Sequence, residues 1–213
     1  MKRIRKALMM ILVLVLCVCP LMNVEAAGKN VTASMKKNKY VKKISKDMAS
    51  YTSSKLISGY PKKTKKEKLK GYNALSIAGY VGYQHGKSFF SKKEIQKRTY
   101  NLFGIKPKTS TVPTMYSSKA KHLVKRDSDY SSKPYEYFGG DWSSMVPKYS
   151  IKKVVKVKKN VYDVTIHNKV GYISDITGKI ESVEKIGTTV IRIKKNPKSS
   201  YKYKVTRMRY KTN

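Results

Sequence analysis

The chain has 213 residues and carries 48 lysines and arginines against 12 acids, a net charge of +36. That length suits one ordinary domain. Its two cysteines, Cys17 and Cys19, both lie in an N-terminal apolar run, so the rest of the chain has neither a thiol nucleophile nor a thiolate metal ligand. A lysine-rich composition alone would enrich acids as well; their scarcity points instead to polyanionic surroundings.

Residues 1–27 have the three parts of a secretory signal peptide: Lys2, Arg3, Arg5 and Lys6, an apolar run from Ala7 to Met22, and small residues around Val24, Ala26 and Ala27. Cleavage is expected after Ala26 or Ala27. The run is shorter than the ~20 apolar residues that span a bilayer. Leu16 and Val18, which precede the two cysteines, are too bulky for lipoprotein acylation. Losing residues 1–27 removes four cations and one acid, so the expected mature chain has 186 residues and a charge of +33. Its arginines are Arg98, Arg126, Arg192, Arg207 and Arg209; every other cation is lysine. Lysine is a hydrated point charge, suited to diffuse attraction rather than to reading a fixed geometry.

Residues 28–39 are polar, basic and without period, and read as a flexible leader to a single α+β domain at 40–213. A helix is expected at about 40–57, where Val41, Ile44, Met48 and Tyr51 recur at helical spacing and Gly59-Tyr60-Pro61 ends the pattern. A second is expected at about 64–83: Thr64 and Glu67 form a capping box, and Leu69, Tyr72, Leu75 or Ser76, and Gly79 make a stripe. The third, at about 91–103, opens with the Ser91 to Glu94 box and closes at Gly104, with Pro107 beyond.

Residues 105–149 show no period and contain four prolines, which suggests short strands or turns packed through Tyr135, Tyr137, Phe138 and Trp142. From about 150 to 210 the period is two. Ile151, Val155 and Val157 alternate with Lys152, Lys156 and Lys158, Lys159-Asn160 turns the chain, and Tyr162, Val164 and Ile166 return. A second hairpin joins 189–194 to 201–205 through Asn196 to Ser199, and a short one is expected near Thr177-Gly178. In the last strand Tyr203 and Val205 share a face that Met208 and Tyr210 reach only across an extra residue, so a β-bulge is expected near Thr206.

Helices followed by antiparallel strands give an α+β fold, with two to three N-terminal helices on a curved sheet of about four to six strands. The Leu102-Phe103-Gly104 helix end, Gly140-Asp141-Trp142 before a strand, and Ser200-Tyr201-x-Tyr203-x-Val205 at the close resemble small secreted proteins of Gram-positive bacteria. The resemblance implies a cystatin- or NTF2-like shape and brings no catalytic residues.

Chemistry is sparse. There is no Gly-x-Ser-x-Gly elbow; His85, between Gln84 and Gly86, and His167, at a strand end beside Asn168, read as solvent-facing turn residues. An enzyme would require a histidine beside a serine or aspartate in a cleft. Metal spacing is absent: Asp127 and Asp129 open like a calcium loop that lacks its glycine and glutamate. Asp141 beside Trp142 could line a saccharide site, but Tyr135 to Trp142 read better as aromatics over an open end of the core. In Tyr201-Lys202-Tyr203-Lys204 the alternation sends tyrosines inward and lysines outward, which removes the stacking platform that single-stranded nucleic acid needs.

The expectation is therefore a secreted, non-enzymatic domain with no catalytic, cofactor or metal residues and no specific nucleic acid. It would associate with anionic wall polymers such as teichoic acid, or with a membrane surface, at the Gram-positive envelope. The candidate cations are Lys62, Lys63, Lys65 and Lys66 at the second helix, with Lys152, Lys156, Lys158, Arg192, Lys194, Lys202 and Lys204 on the sheet. The alternative is a protein- or ligand-binding module on the concave sheet face, with Tyr137 and Trp142 toward the ligand.

Overall fold

A computed structural model describes residues 28–57, 61–86, 90–108, 122–123, 145–174 and 176–213. In chain order the elements are β1 (Lys29–Asn30), α1 (Thr32–Lys37), α2 (Lys39–Leu56), β2 (Lys65–Lys66), α3 (Gly71–Gln84), β3 (Phe90–Ser91), α4 (Lys92–Phe103), β4 (His122–Leu123), β5 (Met145–Lys158), β6 (Val161–Ile173), β7 (Ile180–Lys195) and β8 (Tyr203–Thr212). The fold class is α+β. Helices pack on a six-stranded antiparallel sheet ordered β1-β5-β6-β7-β8-β2, and β3 pairs with β4 apart from it.

The apolar stripe of α2 explains its place. Val41, Ile44, Met48, Tyr51 and Leu56 are all buried and lie along β5, β6, β7 and β8. They meet Val164, Ile166, Ile191, Ile193, Val205 and Met208 from the sheet. Asn38 starts α2, its side chain accepting from the backbone N–H groups of Tyr40 (3.0 Å) and Val41 (3.2 Å). One polar cluster crosses this interface. Asn168 Nδ2 donates to Ala49 O, Thr52 Oγ1 and Ser53 Oγ at 2.9–3.0 Å, and Thr189 Oγ1 lies 2.7 Å from both Thr52 Oγ1 and Asn168 Oδ1. All four side chains are buried, so the cluster fixes the register of α2 on β6 and β7.

Several local expectations change. The 28–39 leader is not a free tail. Lys29 and Asn30 pair with Lys156 and Val155, Thr32 Oγ1 accepts from Val154 N at 2.8 Å, and Met35 is buried. The free edge of β5 offers backbone partners that a polar, aperiodic segment can use.

The second helix starts at Gly71, not at Thr64. Lys65 and Lys66 instead form an edge strand opposite Tyr210 and Arg209, and Glu67 N donates to Met208 O. Glu67 therefore caps no helix at Thr64. Its carboxylate accepts from Asn73 Nδ2 (3.0 Å), Tyr210 OH (3.0 Å) and Tyr51 OH (3.4 Å).

In β5 the phase also shifts. Lys152 is the extra residue of a bulge between the Ile151–Ile166 and Lys153–Thr165 pairs, so Val154, not Val155, is buried beside Ile151. A second irregularity leaves Val157 unpaired.

The strand hairpins follow the sequence closely. Lys159 and Asn160 form the β5–β6 turn, with Asn160 at φ 60°, a left-handed conformation that asparagine tolerates. Arg192 pairs with Arg207 and Ile193 with Val205, which leaves Thr206 as the extra residue. Met208 and Tyr210 consequently rejoin Tyr203 and Val205 in the core. The turn near Thr177-Gly178 closes no separate short hairpin; it is the tip of the long β6–β7 hairpin.

Candidate functional site

Cross-strand partners point to the same side of a sheet, so register assigns each cation to a face. Three rows cross the side opposite Val164 and Ile166. One holds Lys153, Thr165, Val190, Arg209 and Lys66; the next Val155, Asp163, Arg192 and Arg207; the third Lys158, Val161, Lys194 and Lys204. These three rows hold eight cations and one acid, and the same side continues with Lys211, opposite Thr188, and with the row of Lys148, Lys169 and Lys185. Asp163 accepts two 2.7 Å bonds from Arg192 and one of 3.0 Å from Arg207, so these two arginines are drawn together around a single carboxylate.

The expected cations therefore divide. Lys66, Lys158, Arg192, Lys194 and Lys204 fall on the outer face by register. Lys65 and Lys156 pair with Tyr210 and Tyr162, and so belong to the helix side. Lys152 sits in a bulge, while Lys62 and Lys63 precede β2. Lys202 occupies the β7–β8 turn at φ 57° and donates to Pro197 O. Lys204 is the exception: although its register position is outward, its side chain runs over Gly104, the residue after α4. Its charge therefore lies at the negative end of the helix dipole and not with the other cations of the rows. Sequence reading overlooked Lys153, Arg207 and Arg209, although the bulge at Thr206 already sends both arginines outward.

Acids do little to balance this charge. Among the described residues they are Asp47, Glu67, Glu94, Asp163, Glu181 and Glu184. Glu67 and Glu184 accept from tyrosine hydroxyls, Asp47 from Tyr201 and His85, and Asp163 holds two arginines. Tyrosines thus take up carboxylates that lysines elsewhere would have paired with. Burial and the Glu67 carboxylate push the Tyr210 hydroxyl well above the ordinary tyrosine range.

A second constellation lies in the helix layer. Asp47, on the inward side of α2, is almost fully buried; Oδ1 lies 2.9 Å from His85 Nε2 and Oδ2 accepts from Tyr201 OH at 2.5 Å. Burial, then the adjacent carboxylate, raise the Tyr201 hydroxyl far above its usual range. His85, expected as a plain turn residue, is instead tied to α2, with its side chain 40% exposed. Beside this pair opens a cavity of about 170 Å³, lined by Lys43, Arg98, His85, Asn101, Ser200 and Tyr201 over Ala78, Val81 and Leu102.

His167 lies within β6, not at a strand end, on the outer side opposite Ser150 and Thr188. Burial, then Lys185, Lys152 and Lys169, hold its imidazole below the ordinary histidine range. Among the described residues no three His, Cys, Asp or Glu side chains gather to hold a metal ion, and no helix is long and apolar enough to cross a membrane. The signal peptide at 1–27, the helix stop at Gly59-Tyr60, and Asp127, Asp129, Tyr135, Tyr137, Phe138, Asp141 and Trp142 lie outside the described residues. Compared with known proteins, the chain matches no family model, no curated protein and no solved structure.

Proposed function

We propose that this protein is a secreted, non-enzymatic domain that holds anionic polymers of the cell envelope against the outer face of its sheet. The observation that carries the reading is the set of registered rows that gather lysines and arginines around the single carboxylate of Asp163. Neighbouring strands are about 4.8 Å apart, and the screening length at physiological salt is about 8 Å. Adjacent cations therefore repel each other, and a bound polyanion relieves that repulsion. Teichoic acid and anionic lipid headgroups supply such charge at a Gram-positive surface. Secretion rests on the signal-like residues 1–27, and the likeness to cystatin- or NTF2-like secreted proteins rests on the short sequence motifs alone.

His85 beside Asp47 at a cavity meets the condition set above for an enzyme. On this reading the pair is nevertheless structural: the carboxylate is buried, and the two bonds from His85 and Tyr201 offset its lost hydration while joining α2, the end of α3 and the β7–β8 turn. The purified protein, incubated with isolated walls across a salt series, should bind at low salt and release as salt rises. Removing teichoic acid from the walls should abolish most of the binding. Retention at high salt, or binding unchanged by that removal, sinks the proposal.

A further inference from the structure

Positive charge also gathers away from the sheet face, where diffuse attraction does not account for it. The 170 Å³ cavity in the helix layer has Lys43 and Arg98 on its wall and, among the described residues, no carboxylate. Asp47, the nearest acid along α2, is buried outside the lining, with its oxygens engaged by His85 and Tyr201. Among the described residues Lys43 forms no ion pair, and its Nζ stands 5.1 Å over the Tyr201 ring, whereas Arg98 already has an interaction within the protein. Asn101 is oriented from the other side. Its Oδ1 accepts from Ser200 N at 3.2 Å, which leaves Nδ2 with no partner among the described residues.

The cavity thus combines an arginine fork, a lysine point charge, an amide donor and the Ser200 hydroxyl, all suited to the oxygens of a tetrahedral anion. Its size narrows the class. Pockets for drug-sized ligands occupy roughly 300–1,000 Å³, so this one is too small for a nucleotide or an oligosaccharide.

We infer that this cavity binds the phosphate group of a small phosphate ester. Lys43 and Arg98 take its charge, Asn101 Nδ2 and Ser200 Oγ donate to its oxygens, and the short organic part lies on Ala78 and Leu102. This site does not depend on the polymer-binding face: one holds a single group by geometry, the other a chain by field.

Calorimetric titration of the purified protein tests it, using inorganic phosphate, glycerol 3-phosphate and glycerophosphoglycerol in chloride of about 0.15 M, which screens the exposed face. Glycerol 3-phosphate should bind with one-to-one saturation. Arg98→Gln and Lys43→Glu should each weaken it by about tenfold or more, and Lys153→Gln, on the sheet, should leave it unchanged. Lys43 is exposed, so its variant remains informative if Arg98→Gln fails to fold. Equal binding of the diester would assign the group to a polymer linkage, and preference for the monoester to a free metabolite; either supports a phosphate site. Absence of saturable binding, or equal losses from Lys153→Gln and Lys43→Glu, overturns it. Loss of wall binding alone would bear on the sheet face and leave this result standing.

Discussion

Asp47, which is buried, and Glu67, which is half-buried, are partnered by tyrosine and histidine, which keeps the lysines outside. Asp47 and Glu67 meet hydroxyls from strands far along the chain, Tyr201 and Tyr210. Leaving a buried acceptor without its donor costs about 1–3 kcal/mol. Tyr201→Phe should therefore lower unfolding stability by that amount, seen as a reduced denaturant midpoint with unchanged slope. Both hydroxyls are raised above the unfolded value of 10.0. Their stabilisation is present below pH 10 and is lost as pH rises beyond it. Phenolate absorbance of these two tyrosines should accordingly appear together with alkaline unfolding; ionisation of both in a still-folded protein would contradict this. For His167 the sign is opposite. Its folded value is lowered from 6.5, so its contribution is present above that pH and lost as pH falls. His167→Gln should flatten the acid side of the stability profile, and an unchanged acid limb would refute that assignment.

At the level of elements, sequence was most legible where one strand's own pattern decides the outcome. The hairpin at Lys159-Asn160 needed only alternation and a residue that tolerates positive φ. The bulge at Thr206 was visible because Val205 and Met208 cannot otherwise share a face. Deleting Thr206 should restore plain alternation, with Arg207 and Arg209 still outward and Val205, Met208 and Tyr210 still sharing the core face. The deletion variant should therefore still unfold cooperatively on heating, whereas loss of cooperative unfolding would contradict the assignment of Thr206 as the extra residue. Legibility ended where a distant partner overrides local signals. Thr64 to Glu67 matches a capping box, yet Tyr51 and Tyr210 claim Glu67 and the edge of β8 claims the backbone. The docking of 29–30 depends on Val155 and Lys156, over a hundred residues later. The cavity was equally hidden: Asp47 and Tyr201 stand 154 positions apart, and only the fold brings Lys43, Arg98 and Asn101 together. One signal was available. Asn168 interrupts the apolar series Val164, Ile166, Val170, and that break marks the polar cluster beneath α2.

For the whole molecule, charge was plain from composition, but its arrangement was not. The sequence placed lysines on one wet face; register divides them between two sides and adds Lys153, Arg207 and Arg209 to the outer one. If total charge alone governed association, position would be immaterial. The decisive measurement compares two triple variants of equal net charge: Lys66, Lys153 and Lys194 each replaced by glutamine on the outer face, against Lys42, Lys93 and Lys97 replaced likewise on the helices. Affinity for teichoic-acid-bearing walls at physiological salt should fall at least about tenfold for the outer-face variant and change little for the helix variant. Equal losses from both would contradict a dedicated face.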